Sequence, residues 1–169
     1  MSIIDGMLAE LEQEAQTTRR VLERIPQAHL SWRPHPKSMS LGQLALHVAT
    51  VPGAVAEIAA KDVISSPPSF VQPEATTASE LVPALNDSVA RAKRALGGFD
   101  DAQMSAMWRL QNGGKDLMAM PRVAVVRAIM LNHWYHHRGQ LLVYLRLLNQ
   151  PVPSVYGPTA DENPFAASV

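Results

Sequence analysis

The chain has 169 residues, of which 47% are hydrophobic and 18% charged, and its 15 basic residues balance 15 acidic ones to a formal net charge of zero. That length suits one domain spanning residues 1–169 with a core of its own, and the balanced charge lacks the positive field that nucleic-acid binding requires. There is no cysteine, so disulfides, thiolate ligands and a cysteine nucleophile are excluded, and any metal site must use nitrogen and oxygen donors.

Residues Met1 to Gly6 contain no basic region followed by an apolar core, so no signal peptide is expected. No uncharged apolar run approaches the roughly 20 residues of a membrane span. The expectation is a cytoplasmic protein without membrane association.

The first predicted helix runs from Ile3 to Arg24, with Ile4, Leu8, Leu11, Ala15, Val21 and Leu22 facing one way. Pro26, Pro34 and Pro36 keep the next stretch out of helix. Ser40 then starts a second helix, with Gln43 placed to complete a capping box. Leu41, Leu44, Val48, Val51 and Val55 form its apolar stripe, and Pro52 is expected to bend it. A linker containing Pro67, Pro68 and Pro73 follows, from about Asp62 to Thr77. The third helix spans about Ala78 to Leu96, with Pro83 near its start and Gly97 and Gly98 at its end. Trp108 to Leu110 and Leu117 to Met120 flank Gly113 and Gly114, which predicts a small hairpin. Pro121 opens the fourth helix, Arg122 to about Leu148, which Asn149 and Pro151 stop.

Four helices of about 20 residues, each with one apolar stripe, predict an all-α four-helix bundle. The linker of roughly 16 residues can cover about 50 Å, more than the roughly 30 Å of a 20-residue helix. Helices two and three can therefore run parallel, joined by a long crossover.

His133 and His137 lie four residues apart on the fourth helix, a spacing at which two imidazoles can share a metal ion. At about 100° per residue, Val126, Gln140 and Tyr144 fall on the same line, and this stripe is expected to face the bundle interior. Two inward histidines need partners for their ring nitrogens. Satisfied core histidines are the bland alternative. His47, beside Leu44, Val48 and Val51 on helix two, tips the balance: three inward histidines on two helices make a three-nitrogen set with open positions, the arrangement of a catalytic ion. His136 points about 100° away and is the weaker ligand, although spacing alone permits it to replace His133. His29 and His35, in the proline-rich loop, are expected to be solvated. The methionines Met104, Met107, Met118, Met120 and Met130 are expected to fill the core and the underside of the hairpin.

Three blocks resemble the DinB-like (YfiT-like) proteins: Trp32-Arg33-Pro34 with Ser38 to Leu44 leading into His47; Asn132-His133 and His136 to Gln140, followed by Tyr144-Leu145-Arg146; and the tail, Pro153 with Tyr156 to Glu162. The resemblance implies a divalent ion held by His47, His133 and His137, an up-down-down-up bundle and a homodimer. It also implies a metal-dependent transferase or isomerase acting on a small molecule with a low-molecular-weight thiol, which this cysteine-free chain would have to borrow. A metal-dependent hydrolase and a non-catalytic metal- or ligand-binding stress protein are the alternatives. Zinc, nickel, iron and manganese all suit three imidazoles. Arg138, Gln140 and Tyr156 are the candidates for catalytic roles. Arg138 suits a salt bridge equally well, and Asp161 and Glu162 either orient a histidine or tether the tail.

Overall fold

The computed structural model describes residues 2–65 and 72–166. Four long helical stretches dominate it, joined by a small three-stranded sheet that makes the architecture mostly helical instead of all-α. Helix α1, Ile3–Leu22, is closed at its start by a capping box in which the Ser2 hydroxyl and the Asp5 carboxylate each accept the other's backbone N–H. Helix α2, Leu41–Ala59, begins with the expected Ser40–Gln43 box. Helix α3 covers Leu81–Leu96 after a single 3-10 turn, with Pro83 in its first turn where no N–H is needed. The short helix α4, Asp101–Ser105, is an element the sequence reading missed, although Asp100 and Gln103 carry the capping-box signature.

Side-chain pairings give the helix directions. Gly53 and Thr50 of α2 meet Ser88, and Glu57 meets Arg91, so α2 and α3 run parallel. Arg19 pairs with Asn86 and Glu12 with Lys93, so α1 and α3 are antiparallel. Parallel neighbours need a crossover, and Pro67 and Pro68 of that linker lie outside the described residues. The α2–α3 contact is close because Gly53 has no side chain: a Cβ there would stand 2.7 Å from the Ser88 carbonyl oxygen. The Ser88 hydroxyl uses that proximity, accepting the Gly53 N–H at 2.8 Å and donating to the Thr50 carbonyl at 3.0 Å.

The expected hairpin is present as β2, Met107–Asn112, and β3, Lys115–Pro121. Gly113 and Gly114, at φ 56° and 78°, supply the two left-handed residues of its turn. A strand missed within the expected linker, Val63–Ile64, adds in parallel to β2, with Ile64 opposite Leu110. We label this strand β1. One face of the sheet thus brings Ile64, Trp108, Leu110 and Met118 over the end of α2.

Residues 122–147 form the last long stretch in three parts: α5, Arg122–Val125; a π-helical segment, Val126–Asn132; and α6, His133–Leu147. Ala59 meets Arg122, Val48 meets Trp134 and Met39 meets Tyr144, so this stretch is antiparallel to α2. The deepest stripe of α6 is Trp134, Arg138, Leu141 and Leu145. This corrects the expected orientation. Residues in the His133, His137, Gln140 and Tyr144 stripe are half-buried or exposed. The helix sits between α1 and α2, so its most buried line points between them, and the histidines flank that line on the α2 side. The wider π turns also depart from about 100° per residue, so the stripe drawn from His133 back to Val126 does not follow one straight line. Met104 and Met130 are core residues as expected, whereas Met107 and Met118 on the sheet are 47% and 37% exposed.

By length and composition α2 could also cross a membrane, which the run-length reading had not anticipated. Its mean hydropathy is 1.2, with 56% of that window buried inside the fold.

Candidate metal centre

Pro52 has no N–H, so it leaves the Val48 carbonyl without its intrahelical donor. Trp134 Nε1 donates to that oxygen instead, at 2.8 Å. Val48 and Trp134 are the chain neighbours of His47 and His133, and both are fully buried. A carbonyl left unpaired there would cost about 1–3 kcal/mol. The bond that removes this cost also sets the two histidine-bearing helices in register.

In that register the Nε2 atoms of His47 and His133 face each other at 3.4 Å. The His137 ring lies 4.6 Å from the His47 ring and 4.5 Å from the His133 ring, between centroids. One nitrogen from each of the three rings falls within 4.8 Å of the other two. His47, His133 and His137 are therefore brought together, as the sequence predicts.

Each ring has a partner that orients it. His137 Nδ1 faces Gln140 Oε1 at 2.8 Å. The backbone carbonyl of Ile129, within the π segment, lies beside the His133 ring, and the Gln72 side chain lies beside the His47 ring, each favouring a proton on its imidazole. Carbonyl oxygens only accept, so they hold a proton on the nitrogen turned towards them. That leaves the facing nitrogens as lone pairs. Two lone pairs at 3.4 Å repel unless a cation lies between them. Two nitrogens sharing a tetrahedral ion at about 2.0–2.1 Å stand roughly 3.3 Å apart, so the spacing fits a bound ion.

The electrostatics agree. Burial, reinforced by His137 and His133, pushes the His47 imidazole down to about 4. Burial likewise lowers His133 and His137. All three rings are neutral at pH 7, the form that binds metal.

Beside the rings, His47 and His133 close one end of a cavity of about 340 Å³. Val51, Val55 and Ile58 of α2, Trp108 and Leu110 of β2, and Ile129 give it apolar walls.

The other candidates fall elsewhere. Arg138 is 1% exposed and faces α1, where it pairs with Glu14 at 2.6 Å and donates to the Thr18 hydroxyl at 3.0 Å. It also donates to the Tyr156 hydroxyl at 2.6 Å, and Tyr156 in turn donates to Glu14 at 3.1 Å. Neither Arg138 nor Tyr156 lines the histidine cavity among the described residues. Of the catalytic candidates, only Gln140 touches a histidine of the cluster. Tyr144 donates to the Met39 carbonyl at 3.3 Å and meets Trp32 edge-on. Asp161 pairs with Arg146 and Glu162 with Arg20, so both tether the tail. His136, His29 and His35 are exposed. Gln72, Trp134 and Pro52 were missed as contributors. Only the Pro52–Val48 spacing carried a sequence signal for them.

The chain matches the DinB family over residues 1–164. It is 24% identical over 159 residues to the uncharacterized protein YrdA of Bacillus subtilis, covering 94% of this chain and 91% of that one. A DinB-like protein of Bacillus cereus, 24% identical, superposes with a TM-score of 0.69 over 90% of this chain and 97% of its own. The DinB-like protein YjoA of Bacillus subtilis gives 0.65 at 18% identity, over 94% and 99%. A putative DinB-family member from Exiguobacterium sibiricum gives 0.55 at 20% identity, over 92% and 96%. At these identities the structural likeness concerns the fold. With a family match of this extent, the chain belongs to the DinB family.

Proposed function

We propose that this protein is a divalent-metal-dependent enzyme whose ion is held by His47, His133 and His137, and that it catalyses a transfer or isomerisation with a low-molecular-weight thiol as cosubstrate. The observation that carries the metal centre is the convergence of three neutral imidazoles, two of which close one end of an apolar cavity. A bound zinc, nickel, iron or manganese ion would supply a Lewis acid that favours the anionic form of water or a thiol. The chain's own residues do the rest. Gln140 holds the His137 ring, Gln72 and the Ile129 carbonyl lie beside the other two, and the apolar cavity walls exclude water.

The thiol belongs to the proposal through the family resemblance and the lack of cysteine. In the same reading the protein is an up-down-down-up bundle in one domain, a reading the antiparallel and parallel helix pairings support, and it acts in the cytoplasm as a homodimer.

Metal analysis of untagged protein tests the centre. About one divalent ion per chain is expected, lost in His47→Ala. Trace metal that His47→Ala leaves unchanged and added ions do not restore would sink the site. Incubating the loaded protein with electrophiles and candidate thiols tests the chemistry. Thiol-independent turnover would favour a hydrolase, and stoichiometric binding without turnover would favour a binding protein.

A further inference from the structure

We infer that the cavity beside the histidines seats a neutral, largely apolar small-molecule substrate, its one polar reactive group turned towards His47 and His133. The inference rests on the metal-enzyme reading for its reaction but not for its binding.

Three observations carry it. No side chain charged at neutral pH lines the cavity among the described residues. Apart from the histidines, the side chains of the described lining residues carry two polar hydrogens, and both are already used. The Thr50 hydroxyl donates to the Leu46 carbonyl at 2.8 Å, and Trp108 Nε1 donates to the Ile58 carbonyl at 3.1 Å. At about 340 Å³ the space suits a small ligand body. A carboxylate, phosphate or ammonium deep inside would lose its hydration and meet no counter-charge. A hydrocarbon or aromatic body loses nothing there and is removed from water.

The histidine end is the exception, because among the described lining residues it brings two titratable rings together at one end of the cavity. A substrate therefore has a preferred orientation. The same walls reject a charged thiol cosubstrate, which must reach the histidines from outside the cavity. The cavity is left to the electrophile.

Two rim residues allow a test without hollowing the core. Ala54 is exposed and lines the cavity, and Met118 lines it while 37% exposed. The probe is N-phenyl-1-naphthylamine, a neutral aromatic whose fluorescence rises on apolar burial. Saturable one-to-one binding is expected in both metal-loaded and chelator-treated protein. Ala54→Trp, which fills the space, and Met118→Lys, which charges the wall, should each weaken binding about tenfold or more, with circular dichroism and metal content unchanged.

In unmodified protein, the 1-alkanols from butanol to octanol should displace the probe with affinity rising about two- to fourfold per methylene. No saturable binding, no response to either folded variant, or no dependence on alkanol length would overturn the proposal. Metal content on the same preparations reports on the metal centre separately. Wild-type protein that binds the probe yet takes up no ion even when divalent ions are added would support the cavity and overturn the centre.

Discussion

At the scale of single residues, the three histidines differ less in what they face than in what holds them from behind. His137 is oriented by a glutamine one turn further along its own helix, whereas His133 has the Ile129 carbonyl beside it and His47 has Gln72 from the crossover. Such outer partners fix ring orientation and ligand basicity, and losing one typically costs about 10–100-fold in metal affinity. Gln140→Ala is therefore expected to weaken metal binding by about that factor while the fold persists, since Gln140 is exposed. Competition against a chromophoric chelator measures it. Unaltered affinity would show that the Gln140 contact does not orient His137.

The histidines also give the metal-free protein a pH signature. The unfolded His47 imidazole takes up a proton near 6.5, whereas the folded one does so only near 4. Between those values the unfolded state binds more protons, so stability falls as pH falls from about 6.5 towards 4. His133 and His137 shift in the same direction and add to the loss. Melting temperatures of chelator-treated protein should decline across that window, and His47→Ala should decline less steeply.

At the scale of elements, a proline sets the register of the site. Pro52 was legible as a disruption of α2, but not its consequence, because the donor that replaces its missing N–H comes from Trp134, more than eighty positions away in sequence. Trp134→Phe keeps the aromatic bulk and removes that donor. It should destabilise the protein by about 1–3 kcal/mol in denaturant titration and weaken metal binding by letting α2 shift against α6. A variant that loses stability yet keeps full metal affinity would separate the fold from the register argument.

Other elements divide in a similar way. The capping box that opens α2, the glycine turn of the hairpin and the parallel crossover were readable because each depends on local residue type or chain length. Strand β1 was not, since a two-residue strand has no periodicity and exists only because β2 offers it a partner. The π segment was equally hidden.

At the scale of the whole molecule, the α1 side of α6 is organised around a buried ion pair. Arg138 and Glu14 sit between α1, α6 and the tail, with Thr18 and Tyr156 completing the hydrogen bonds. The flanking rings of Tyr135 and Tyr156 lie 5.3 and 5.2 Å from the guanidinium. Removing one partner of such a pair leaves the other charge buried and typically costs about 3–5 kcal/mol. Arg138→Met should show that loss in chemical denaturation, whereas Tyr156→Phe should cost only about 1 kcal/mol. Equal small losses would mean that solvent reaches the pair.

The sequence by itself determined the four long helical stretches, the hairpin, the histidine pair on one helix face and the kinship with DinB-like proteins. Those depend on local propensity, on spacing along one helix and on motifs carried in contiguous residues. Only the tertiary structure decided that His47 meets the pair, that Arg138 and Tyr156 belong to another side of the helix, that Gln72 backs a ligand and that a sheet roofs an apolar cavity. Each of these joins residues distant in sequence, and helical periodicity fixes angles around one axis without saying which neighbour lies at each angle.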